Sequence, residues 1–317
     1  MIKKCPRCGC KNVKKKSKSA NGKQRYECKA CRYRFIWKNK KNKRLRERKW
    51  FEVWIKEGYS IRQISKISGY SASKIKGIKD YWFLQEPKGY SFDYKGIKYL
   101  LFDGTYFNKT NCFMVFMDTI SGDIISSKYT ARESYDSVRE MSLELRNKGV
   151  YPISITLDGN LCVIHAIKEI WPEVKIQRCL YHIRRQGQMW LRHRPKTEAG
   201  RELRNLLEII ANVRTQREAE KVRRLFEGIK EKHKEYIGSI RARDIGLKDI
   251  KKVISLVNKA KDNMFYFLED KKIAATNNKI EGFFSELKRK YREHRGIKKN
   301  KREQYLKWYC YYKNQAK

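Results

Sequence analysis

The chain has 317 residues, and 76 Lys and Arg against 34 Asp and Glu leave a formal net charge of +42. Charge on that scale repels itself in a folded protein and points to a polyanionic partner, because neutralising phosphates with Lys and Arg releases condensed counterions. A hydrophobic content of 40% with 13% aromatic residues argues against disorder throughout, and no run approaches the roughly 18 apolar residues that span a bilayer. The opening Met1-Ile2-Lys3-Lys4-Cys5-Pro6 lacks the apolar stretch of a signal peptide, so a cytoplasmic protein without a membrane partner is expected. In that reducing setting the nine cysteines read as metal ligands or buried thiols. The charge is uneven: residues 1–50 hold 21 Lys and Arg against Glu27 and Glu47, whereas residues 97–160 hold seven against eight acids.

Cys5-Pro6-Arg7-Cys8 and Cys28-Lys29-Ala30-Cys31 are two C-x2-C knuckles separated by 19 residues, the spacing of a structural zinc site with four cysteine ligands. Gly9 permits the tight turn after the first pair, and short strands near Val13–Lys16 and Arg25–Glu27 flank the turn Ala20-Asn21-Gly22-Lys23. The expectation is a zinc ribbon over 1–37 holding one structural Zn2+, with Cys10 as the spare thiol. A basic linker over 38–49 follows, then an apolar-periodic helix from Trp50. Ser60 can cap a helix over Ile61–Ile67, Gly69 gives a turn, and Ser71 can cap a third helix through Lys79. This pattern over 38–88 fits a helix-turn-helix whose Ser73, Lys74, Lys76 and Lys79 face the major groove; a plain helical bundle has the same periodicity.

Beyond Pro87-Lys88-Gly89 the pattern changes. Strands are predicted over 97–107, 112–117 and 124–129, a helix over 134–146, a strand over 153–158, a helix over 163–170 and a strand over 174–177. The succession βββαβαβ matches an α/β ribonuclease H-like core. Asp103 interrupts an apolar strand, where a carboxylate is costly without a partner, and Asp158 ends another strand before Gly159. Carboxylates on neighbouring strands repel unless a cation joins them, and hard oxygen ligands favour Mg2+ or Mn2+. Glu281 offers a third acid on a helix with apolar residues at 280, 283, 284 and 287, although Asn278-x-x-Glu281 also fits a capping box. Cys179-x2-His182 resembles half a zinc site without a second pair.

These motifs together resemble the mutator-type DDE transposases of prokaryotic insertion sequences. The residues that carry the resemblance are Leu101-Phe102-Asp103-Gly104-Thr105-Tyr106, Leu157-Asp158-Gly159, Cys179-Leu180-Tyr181-His182 and Asn277-Asn278-Lys279-Ile280-Glu281, followed by Tyr291-Arg292-Glu293-His294-Arg295-Gly296, within 97–313. The resemblance implies a catalytic domain over 89–317, with an all-helical insertion at about 197–270. It also implies an acidic triad of Asp103, Asp158 and Glu281 holding two Mg2+ or Mn2+ ions, and cleavage and joining of double-stranded DNA at terminal inverted repeats and target sites. Joining two ends implies a homodimer or larger assembly, associated with the nucleoid. Cys179 and His182 are expected to support the site or contact DNA, and Arg289, Arg292, His294 and Arg295 to contact phosphate near the cleaved end. Two rivals share these features: a domesticated, non-catalytic DNA-binding regulator and a ribonuclease H-like nuclease that cuts without joining.

Overall fold

A computed structural model of the chain describes residues 4–36, 40–89, 92–107, 110–241, 244, 247–294 and 297–315. The fold divides into two compact units, residues 1–54 with 60–84, and 55–59 with 85–317. Among the described residues no helix is long and apolar enough to cross a membrane.

The first unit opens with an antiparallel sheet of β1 (Val13–Lys18), β2 (Gln24–Cys28) and β3 (Arg34–Ile36), in that order. β3 goes beyond the two strands expected: Phe35 lies opposite Tyr26, with ring centroids 6.1 Å apart. The buried hydrophobic residues of this sheet are Cys5, Tyr26, Cys28 and Phe35, too little apolar surface to hold such a fold without a staple. Helix α1 (Lys40–Glu57) follows, so most of the stretch expected as a linker is helical. Its cations do not prevent this because buried Glu47 pairs with Lys43 one turn before it and with Lys74 at 2.6 Å, while Phe51 packs edge-on to Phe83 at 5.6 Å. Helix α2 (Ile61–Ser68) starts in a capping box between Ser60 and Gln63 and stops at Gly69, whose φ of 69° suits glycine. Helix α3 (Ala72–Phe83) is capped by Ser71.

The second unit is built on a mixed five-stranded sheet. In chain order come β4 (Tyr99–Tyr106), β5 (Cys112–Asp118), β6 (Ile124–Thr130), α4 (Tyr135–Asn147), β7 (Ser154–Leu157), α5 (Leu161–Ile170) and β8 (Lys175–Arg178). The strand order is β6-β5-β4-β7-β8, antiparallel through the first three and parallel from β4 to β8. Alternation sends Leu100, Phe102, Met114, Phe116, Ile155 and Leu157 into one core with Val138 and Leu145 of α4 and Ile167 of α5. Asp103 shares the other face with Leu101, and there Phe113 meets Phe284 at 6.4 Å.

After β8 the chain is helical: α6 (Leu180–Leu191), α7 (Glu198–Asn212), α8 (Gln216–Lys232), α9 (Lys234–Ser239), α10 (Lys248–Ala260), α11 (Asn278–Glu293) and α12 (Arg302–Gln315). Helices α6, α7, α8 and α10 form a second hydrophobic core around Leu203, Leu207, Val222 and Val253. One feature of the sheet prepares a site. β7 ends at Leu157 and pairs with β4 only as far as Leu101 opposite Thr156, so β4 runs on past its neighbour and opens a rim from Asp103 to Tyr106. Phe116 fixes the layer beneath this rim, 4.7 Å from Phe102 and edge-on to Trp171. Phe116→Ala should cost about 3–5 kcal/mol in guanidinium unfolding; a loss under about 1 kcal/mol would show that the layer closes over the cavity.

Candidate functional site

The four cysteines of the two knuckles converge: their sulfurs all lie within 4.8 Å of one another, with Cys5 to Cys31 at 3.6 Å and Cys8 to Cys28 at 3.5 Å. Four sulfurs at about 2.3 Å from a tetrahedral Zn2+ would stand about 3.8 Å apart, so the donor set fits that ion. The two knuckles repeat one turn, with positive φ at Gly9 (72°) and at Arg32 (58°), each just after the second cysteine. The backbone N–H of Cys31 leads the bonds that hold the Cys28 thiol down to about 6, which favours the thiolate a metal needs. Cys10 stands outside the group, its sulfur accepting from the Asn12 N–H.

In the second unit, Asp103 at the rim, His182 in the first turn of α6 and Glu281 in the first turn of α11 bring ligand atoms within 4.8 Å of one another. His182 Nε2 lies 3.1 Å from Glu281 Oε1, while the buried Nδ1 has no partner among the described residues. Glu281 is not consumed by helix capping: α11 begins after Asn277 without a side-chain cap, and the Asn277 amide instead donates to the Phe102 carbonyl at 3.0 Å. Asn277 also donates its N–H to Cys179 Sγ at 3.2 Å. Burial pushes that thiol up to about 11, so it stays protonated and serves as a packing and hydrogen-bonding group.

Asp158 lies outside the tight group and is exposed at the end of β7. Its Oδ1 accepts from the Asn160 N–H at 3.0 Å, and its carbonyl from Arg178 Nη2 at 3.1 Å. Arg178 is buried and its guanidinium lies against Gly159, where a Cβ would stand 1.9 Å from its central carbon. At φ 96° and with no room for a side chain, position 159 requires glycine. Beside this turn a cleft of about 430 Å³ is lined by Arg178, Trp190, Lys251, Lys252 and Lys259, among others.

Burial first, then the charges of Asp158, Glu281 and Glu133, push the Asp103 carboxyl up to about 8, opposed by the Gly104 N–H that bonds it at 2.8 Å. A carboxylate so raised is one that a bound cation would return to its ionised form. Hard oxygens with one imidazole suit Mg2+ or Mn2+, and the orphaned atoms His182 Nδ1 and Asn277 Oδ1 leave polar capacity beside them.

The basic residues expected at DNA are placed unevenly. Ser73 and Lys76 are exposed on α3. Lys74 is engaged by Glu47, and Lys79 lies 3.8 Å from Asp80 and 5.8 Å from the Trp54 ring centre. Arg289 pairs with Glu293 at 3.0 Å and Arg292 Nε donates to the Lys288 carbonyl. His294 is turned inward, its ring edge-on to Tyr305 at 5.4 Å, so it is not presented to solvent. Arg295 lies outside the described residues. Sequence reasoning missed Glu133, Asn160, Arg178 and the lysines of the cleft. Its available signals were the glycine after Asp103 and the Asn two places after Asp158.

Residues 117–300 match the family described as Transposase, Mutator family. That span is more than half of the chain. The chain belongs to the Mutator transposase family. Asp158, Cys179, His182 and Glu281 fall inside the matched span of this transposase, and Asp103 precedes it. A search of curated proteins finds no match. Among solved structures, a chain of the simian T-cell lymphotropic virus intasome in complex with PP2A regulatory subunit B56 gamma is similar at 13% identity. The similarity covers 66% of this chain and 68% of that one with a TM-score of 0.22, which carries no argument about fold or activity.

Two outcomes are expected of these sites. Stripping one zinc per chain with a strong chelator should make residues 5–36 protease-sensitive, and Cys28→Ser should do the same while Cys10→Ser does not; protection that survives chelation would sink the zinc assignment. In the cation-free protein, Asp103 holds a proton up to about pH 8, whereas the unfolded chain releases it near pH 4. Between those values the folded state binds the extra proton, so its stability falls as pH rises. Urea unfolding at pH 5 and 8 should therefore show a larger loss for the wild type than for Asp103→Asn, and equal losses would contradict the raised proton affinity.

Proposed function

We propose that this transposase uses Asp103, Asp158 and Glu281 as a DDE triad to cleave the terminal DNA of an insertion sequence and transfer the strand to a target, with two Mg2+ or Mn2+ ions. The observation that carries the reading is the convergence of Asp103, His182 and Glu281, far apart in sequence, at the open rim of the sheet beside Asp158. The ribonuclease H-like reading of the core is supported by the strand order: the first strand is central, with antiparallel β5 and then β6 on one side and the parallel strands β7 and β8 on the other. The division into a zinc ribbon (1–37), a helix-turn-helix region (38–88) and a catalytic domain (89–317) with a helical insertion at about 197–270 is part of the same proposal.

When bound, the ions would activate a water or a DNA 3′-hydroxyl and stabilise the leaving oxygen. The protein's own share is positioning. Gly104 N–H fixes one oxygen of Asp103, Asn160 N–H fixes one of Asp158, and His182 holds Glu281 toward Asp103. Arg178 pins the turn that carries Asp158, and the cationic cleft beside it suits the phosphates of a strand led toward the rim. Ser73 and Lys76 on α3 and Arg289 and Arg292 on α11 are further candidates for duplex contacts, and joining two ends calls for a second copy of the chain. Asp103→Asn should abolish Mg2+-dependent cleavage of end-bearing DNA while leaving DNA binding at the wild-type level; a variant that still cleaves excludes this triad.

A further inference from the structure

Glu133 lies in the short segment between β6 and α4, half-buried, and neither caps that helix nor forms an ion pair among the described residues. Ser134, the next residue, already caps α4 by accepting from the Ser137 N–H. Among the described residues no Lys, Arg or His pairs with Glu133. Its Oε1 accepts from the Asn160 side-chain amide at 2.7 Å, and the same Asn160 donates its backbone N–H to Asp158 Oδ1 at 3.0 Å. Its Oε2 stands 2.6 Å from where a Cβ would be on Gly104, the residue after Asp103. Glu133 thus reaches over the rim that β4 leaves open, touching the backbone next to one aspartate and tied through Asn160 to the other. Burial and then the nearby charge of Asp158 raise the proton affinity of Glu133, and Glu133 adds in turn to the raised affinity of Asp103.

We propose that Glu133 is a fourth carboxylate of the divalent-cation centre, held by Asn160 on the side of Asp103 and Asp158. This rests on reading the centre as a metal site. The tight group of Asp103, His182 and Glu281 includes neither Asp158 nor Glu133; a second ion on the Asp158 side would draw on Asp103 and Asp158, and Glu133, tied to Asp158 through Asn160, is the next carboxylate there. Four carboxylates also carry the charge that balances two divalent cations, where three do not. A Cβ at position 104 would stand 2.6 Å from the Glu133 carboxylate and 3.0 Å from Cys112 Sγ, so glycine there leaves the carboxylate the place it takes.

The test is Mn2+ binding to the full-length, zinc-loaded protein by titration calorimetry, with melting temperatures of the Mn2+-free variants measured alongside. The wild type should bind two Mn2+ per chain. Glu133→Gln should weaken one of them by about tenfold or more and spare the other, with no fall in melting temperature because a charge leaves a repelling cluster. Asn160→Ala should weaken the same ion by a smaller factor. Unchanged binding in Glu133→Gln, while Asp103→Asn loses both ions, overturns the role of Glu133 alone; unchanged binding in Asp103→Asn overturns the metal-centre reading itself. If Glu133→Gln melts below the wild type, Asn160→Ala decides, and normal binding of both ions by that variant overturns the proposal.

Discussion

Like charges do not gather of their own accord, and the second unit of this chain is arranged around forcing them to. Asp103 sits where β4 runs on past β7, Asp158 just after the end of that parallel neighbour, Glu281 arrives on α11, and Glu133 leans over the same rim. Their mutual repulsion, added to burial, is visible in the raised proton affinity of Asp103. The sheet bears that strain through its packing: Phe102, Phe116 and Trp171 lock the layer below β4, and Asn277 ties the start of α11 to the Phe102 carbonyl beside Asp103. A divalent cation would convert the repulsion into attraction, which makes the centre's cohesion conditional on what it binds.

The basic residues answer a different demand. In a protein with net charge +42, no Lys or Arg among the described residues forms an ion pair with Asp103, Asp158, Glu133 or Glu281. Arg178, beside Asp158, has its guanidinium buried against Gly159 and bonds the Asp158 carbonyl rather than its carboxylate. The turn is thereby stiffened without neutralising the acid that a metal would need. The nearby lysines line a cleft instead, where phosphate can reach them. In the first unit the same economy of acids appears at Glu27, which sits among Lys14, Lys16 and Arg34 and is held down to about 2, chiefly by its bond from Lys14.

Much of the site was legible from residue types alone. Two C-x2-C pairs have the spacing of a four-cysteine metal site, and their sulfurs do converge; an aspartate inside an apolar strand calls for a partner. The strands and helices of the core from β4 to β8 follow directly from period-2 and period-3.6 patterns. Other features were not legible, for reasons that lie in space. The helix through Lys40–Lys49 depends on Glu47 meeting Lys74 from another helix. His294, polar in type and placed among cations, is drawn inward by the ring of Tyr305. Glu133 looks like an ordinary acid at a helix start until Asn160 and Gly104 are seen beside it.

The sequence by itself determined the two cysteine pairs, the order of strands and helices from β4 to β8, the basic amino-terminal region and an aspartate inside an apolar strand, because each rests on local spacing, composition or the cost of a charge in an apolar run. Only the tertiary structure decided which charges meet. His182 facing Glu281, Asp158 standing apart from that pair, and Glu133 closing the rim all depend on where strands stop relative to one another and how α11 lies on the sheet. Those distances arise from long-range packing, which no local pattern encodes.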